Sequence, residues 1–187
     1  MLKSTLCRSL VLVYLYGSMS SYSQNLVPNC DFDVVEDCPT SHGQFDLAQG
    51  WRTPTLATSD LCHTCAGEVV GIPNNMWGSE VSYSGHGYGH IISYYYFASP
   101  NYREYMQAEL ACPLRTGEEY FVSFFVSLSD QSGFAIDGMG LHFSPDPISR
   151  NDNITIDLGV TDPYFNTCTT STTTKPSLKL PFWIEAR

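Results

Sequence analysis

Between Asn101 and Asp130 the chain reads NYREYMQAELACPLRTGEEYFVSFFVSLSD, two stretches of alternating character on either side of a glycine-containing turn. Successive side chains of a strand point to opposite faces, so burial of every other residue marks a sheet with one covered side. Tyr102, Glu104, Met106, Ala108 and Leu110 fall on one side, and Arg103, Tyr105, Gln107 and Glu109 on the other. The first row is mainly core. Tyr120, Val122, Phe124, Val126 and Leu128 make a second apolar row, with Phe121, Ser123, Phe125 and Ser127 opposite. The pattern predicts an antiparallel hairpin with one buried face, stacked on a second sheet.

The N-terminus predicts export. Lys3 and Arg8 precede the apolar run Leu10 to Tyr16 and the small-residue stretch Gly17 to Ser23, the three parts of a secretory signal peptide. Cleavage after Ser23 is expected, leaving Gln24 as the new terminus. The run is shorter than the ~20 apolar residues a membrane-spanning helix needs, and no transmembrane segment is expected after cleavage. Residues 24–165 are expected to form one domain, with 166–187 as a low-complexity or disordered tail carrying NTCTTSTTTK.

Charge narrows the partners. The whole chain has 9 Lys and Arg against 19 Asp and Glu, for a net charge of −10, and removal of Lys3 and Arg8 makes the mature chain more acidic still. Nucleic acid is excluded as an expected partner, because phosphate binding needs clustered basic residues. An acidic surface suits a soluble extracellular monomer. The mature chain keeps Cys30, Cys38, Cys62, Cys65, Cys112 and Cys168, an even number that predicts disulfides in an oxidising compartment. Their spacing suggests local staples, Cys30 with Cys38 and Cys62 with Cys65. Cys62, His63 and Cys65 also resemble half of a zinc site, but no second ligand pair follows at the right spacing.

Elsewhere, Asn25 to Val34 reads as an opening strand with a Pro-Asn turn inside it, and Gly50-Trp51 as an aromatic plug for the core. Asp60 to Met76 reads as a long irregular connection, and Tyr83 to Phe97 as a return to strand. Ala135 to Ser144 and Ile154 to Gly159 read as two more strands, and Pro176 to Arg187 as a tail without strand pattern. Short strands with frequent Gly and Pro place the chain among all-β proteins, as an antiparallel β-sandwich or jelly roll.

A candidate ligand face follows from the same alternation. Arg103, Tyr105, Gln107 and Glu109, with Phe121 and Phe125 on the adjoining strand, combine ring faces with polar groups, as a sugar-binding surface requires. Ordinary cross-strand pairs on a covered sheet would use the same residue types. His86 and His90 read as surface histidines. Asp130, Asp137, Asp146, Asp152 and Asp157 show no pairing suited to glycosidase chemistry. No nucleophile elbow or phosphate loop is present, and a non-enzymatic protein is expected.

Several phrases, in order, carry a resemblance: NLVPNCDFD at the start of the mature chain, CPT at Cys38 to Thr40, Gly43-Gln44, Gly50-Trp51, IPNN at Ile72 to Asn75, YREYMQ at Tyr102 to Gln107, Pro113-Leu114 with Gly117, and SFFVSLSDQSGFAI at Ser123 to Ile136. Over residues 25 to 160 the chain resembles the N-terminal jelly-roll domain of exported cell-surface proteins of Bacteroidota, a domain similar to galactose-binding and carbohydrate-binding modules. In such proteins an outer-membrane-protein-A-like or type IX secretion sorting domain often follows. The resemblance implies a secreted module at the cell surface or in the periplasm that binds a glycan or another envelope component without catalysis. It also implies the alternative of a structural spacer from a truncated outer-membrane or gliding- and secretion-associated protein, lacking the closing strands. The opening phrase further implies a structural calcium, to which Asp31, Asp33 and Glu36 with nearby carbonyls would contribute oxygens.

Overall fold

The computed structural model describes residues 24–95, 101–133, 135 and 139–157, together with the backbone of 181–186. The expected signal peptide, the Thr-rich stretch 166–175 and Cys168 lie outside the described residues. The fold is mostly β, without an α-helix among the described residues, and is built from small antiparallel sheets.

The strands are β1 (Trp51–Arg52), β2 (Asp60–His63), β3 (Asn74–Asn75), β4 (Gly78–Ser79), β5 (Gly87–His90), β6 (Gln107–Ala108), β7 (Val122–Phe125) and β8 (Pro181–Ala186). One 3-10 turn, Phe45–Leu47, precedes β1. The largest sheet has the order β2-β5-β8-β7, and two smaller sheets pair β1 with β6 and β3 with β4. Register is set by Asp60 opposite His90 and Cys62 opposite Tyr88 in the first sheet, and by Trp51 opposite Ala108 in the second.

The core is aromatic at its centre. Phe32 and Phe45 are fully buried, and Trp51 lies 5.0 Å from Phe32 and 5.9 Å from Phe45 between ring centroids. Phe32 and Phe45 themselves meet edge to face at 5.8 Å, and such pairs add roughly 0.5–1.5 kcal/mol each beyond simple burial. The indole of Trp51, on the Gly-Trp phrase, donates its N–H to the carbonyls of Pro28 and Asn29 at 3.1 Å. Leu26, Val27, Ala48, Leu61, Cys62, Val70 and Tyr88 complete the buried cluster. β5 runs through it because Gly89 carries no side chain, and a Cβ there would collide with the Met106 sulfur and come within 2.9 Å of the Phe45 ring.

Asn29 organises the opening phrase. Its side-chain amide donates to the carbonyls of Val34 and Gln49 at 2.9 and 3.0 Å, and its Oδ1 accepts the Val34 N–H at 3.0 Å. The backbone turns within these bonds, with φ of 46° at Asn29 and 54° at Phe32. A bulky residue at positive φ costs about 1–3 kcal/mol, which full burial of the Phe32 ring offsets. The turn expected at Pro28-Asn29 therefore forms, while no strand forms around it within residues 25–34.

The alternating region keeps its faces but changes its partners. Met106, Ala108, Leu110, Tyr120 and Val122 pack against the core, as the two-residue period requires. The expected hairpin between the two stretches does not form among the described residues, because β6 pairs with β1 and β7 pairs with β8. Periodicity fixes which side of a strand is buried and says nothing about its neighbour. β8 is the second surprise: Pro181–Ala186 lies between β5 and β7, inside the segment read as a strandless tail. Proline at the first residue of a strand is tolerated, and the preceding Thr-rich run obscures the apolar PFWI that follows it.

Asp60 to Met76 is less irregular than expected, since it opens with β2 and closes with β3. Conversely, no strand forms within 139–153, and the isolated bridge of Ile154 with Tyr102 stands where a strand was expected to begin. The cysteine staples are also different. Cys38 bonds to Cys65 across 27 residues, whereas Cys62 is a buried thiol inside β2. Strand geometry turns Cys62 into the core while Cys65 lies beyond the strand end, so closeness in sequence does not bring the two sulfurs together. A loop of this length contributes about 3–4 kcal/mol by restricting the unfolded chain.

Candidate functional site

The expected ligand face at 103–109 is the seat of an internal strap. Residues 148–156 lie along it: the Gln107 amide donates to the Ile148 carbonyl at 3.3 Å and accepts the Ile148 N–H at 2.8 Å. Tyr105 accepts the Ile156 N–H on its hydroxyl at 3.0 Å, and the Arg103 N–H reaches the Asn153 carbonyl at 3.2 Å. Arg150 and Asp152 fasten the same strap to Pro54 and Leu56 through backbone bonds. The Arg103 guanidinium sits 5.4 Å over the Tyr94 ring, and Glu109 is exposed. Tyr105 and Gln107 are thus brought together, but around a piece of this chain.

Phe125 lies apart from them on β7. Its ring stacks on Tyr83 at 3.6 Å between centroids and 19° between planes. Tyr83 is 61% exposed and Phe125 39%, and Phe121, just ahead of β7, is 64% exposed. Val122 packs inward while Phe121 and Phe125 face solvent, so strand alternation sets the rings on the outer face of β7. Ser127, next in the same row, donates to the Glu80 carboxylate at 2.7 Å. Large exposed aromatics grouped on one face are unusual for a soluble surface and mark interaction sites.

Asp31 and Asp33 do come together, around Gly85 in the loop that carries Tyr83. Gly85 has φ of 61°, and a Cβ there would meet both Asp33 and the Asp31 backbone, so glycine alone fits this close approach. Asp33 Oδ1 accepts the His86 N–H and lies 3.0 Å from His86 Nδ1. That oxygen is committed to donors. A calcium ion takes six to eight oxygens, and among the described residues no three His, Cys, Asp or Glu side chains are grouped to hold a metal. Cys65 is in the disulfide, which removes it from the Cys62, His63 and Cys65 spacing that resembles half of a zinc site.

Two polar side chains lie in the interior, His90 against expectation and Glu104 on the row expected to be mainly core. His90, expected at the surface, is buried with its Nδ1 3.0 Å from Asp60 Oδ2, and Trp77 stacks on its ring at 4.2 Å. Asp60 also accepts the Gly43 N–H at 2.6 Å. An aspartate holding an imidazole resembles the orienting half of a catalytic triad, but here both groups are buried and join β2 to β5. Glu104 is 3% exposed and accepts from the Tyr102 hydroxyl at 2.7 Å and the Ile92 N–H at 2.6 Å. Burial raises the Glu104 carboxyl pKa, with the Asp60 charge adding to the rise and the two hydrogen bonds and His90 opposing it. Burial likewise raises the Cys62 thiol and the Tyr88 hydroxyl, and lowers His63, which His86 lowers further. Glu104 sits on the apolar row of the alternating stretch, the one signal in the sequence that it would be buried.

Comparison with protein-family models, with curated proteins and with solved structures gives no match to this chain.

Proposed function

We propose that this protein is a secreted, non-enzymatic binding module of the cell envelope, which holds a glycan on the outer face of β7. The small sheets are read as parts of a jelly-roll sandwich, in keeping with the ordered phrases that resemble the Bacteroidota domain. The observation that carries the reading is the exposed stack of Tyr83 on Phe125. Sugar sites need a ring for the apolar face of a pyranose and polar groups to fix its hydroxyls. Ser127, in the same strand row as Phe125, supplies such a group together with Glu80. The chain acts by presenting a surface, with no bond made or broken.

A glycan array read with the full chain tests this. Wild type is expected to bind a defined subset, and Tyr83→Ala to lose it by about tenfold or more, equivalent to about 1.4 kcal/mol. Silence across the array supports the second reading, a structural spacer. That reading is favoured by one observation: Tyr105 and Gln107, the best polar candidates in the sequence, are used to hold residues 148–156.

A further inference from the structure

Resting on the glycan reading above, we infer that the ligand is a linear, uncharged polysaccharide lying lengthwise along β7, with Phe121 as a second platform beyond the Tyr83–Phe125 stack. Phe121, Ser123, Phe125 and Ser127 share one face by the strand period, and the row alternates ring and hydroxyl. Phe121 and Phe125 are four residues apart, which on an extended backbone is about 13 Å. About two or three pyranose rings laid end to end cover that span. A pocket for one terminal sugar would gather its aromatic and polar groups at one point. Here they are strung out along an outer strand, and Phe121, at 64% exposure, has the room to take a further ring.

Charge selects among linear polymers. The Glu80 carboxylate sits at the row, bonded to Ser127, and the chain as a whole carries −10. A uronic-acid or sulfated polymer would be repelled both along the row and at long range. Neutral hydroxyls, by contrast, donate readily to carboxylate oxygens.

The test is titration calorimetry of the full chain with two ladders, each of one to six units. One ladder holds neutral β-1,4-linked oligomers of glucose, mannose and N-acetylglucosamine, and the other holds oligogalacturonates. Affinity for a neutral ladder is expected to climb about fivefold to tenfold between one and three units and then level off, as expected when one more stacked ring is engaged. Phe121→Ala should abolish the climb, and Phe121→Tyr should restore it. Phe121 is exposed, so its removal is expected to leave the far-UV circular dichroism unchanged. Equal affinity for one and three units, a climb that survives Phe121→Ala, or tighter binding of oligogalacturonates would overturn the inference while leaving glycan binding in place. No heat with either ladder overturns the inference, and silence across the glycan array overturns the glycan reading with it.

Discussion

At the scale of single residues, Asn29 and Glu104 carry the most distinct consequences. Asn29 has a positive φ that glycine adopts without strain, and three side-chain hydrogen bonds that glycine cannot make. The two effects have opposite signs. Asn29→Gly is expected to lower stability by about 1–3 kcal/mol in urea unfolding, because the lost bonds outweigh the relaxed backbone. An unchanged midpoint would show that the turn is held by backbone preference alone. Glu104 concerns pH. Its raised carboxyl pKa means that the folded state holds the proton more tightly than the unfolded chain. Its contribution favours folding below the ordinary carboxylate range and is lost as pH rises through the folded value. In its ionised form the buried Glu104 works against folding. The stability of Glu104→Gln relative to wild type is therefore expected to rise as pH rises above the ordinary carboxylate range, and a flat or falling difference would contradict the assignment.

At the scale of elements, the strap over β6 makes a local prediction. The Gln107 amide pairs with both backbone groups of Ile148 as a neighbouring strand would. Gln107→Ala should therefore speed hydrogen exchange at the Ile148 N–H by about tenfold while changing global stability by only ~1 kcal/mol. Unchanged exchange there would mean that Arg150 and Asp152 hold the strap without help. The same region shows what a sequence can convey. The inward row Met106, Ala108, Leu110 and Val122 was legible because burial alternates with a period of two. The partners of β6 and β7 were not, because pairing depends on segments distant in sequence, Trp51–Arg52 and Pro181–Ala186. The role of Gln107 was hidden for a similar reason. An amide that grips a carbonyl 41 residues away has the same sequence signature as one that grips a sugar.

At the scale of the whole molecule, aromatic residues divide between two tasks. Phe32, Phe45 and Trp51 close the core, while Tyr83, Phe121 and Phe125 stay at the surface. The strand period placed Phe121 and Phe125 on the outer face from sequence alone. Tyr83 gave no such sign, since its contact with Phe125 arises only when the loop before β5 folds over β7. The account stands on that surface being the binding face, in place of the strapped face of β6. Its most direct measurement is a titration of the strongest array ligand into wild type, Tyr83→Ala, Phe125→Ala and Gln107→Ala. The account predicts that the two aromatic variants lose affinity by about tenfold or more and that Gln107→Ala binds like wild type. Loss confined to Gln107→Ala, with both aromatic variants unaffected, would contradict it.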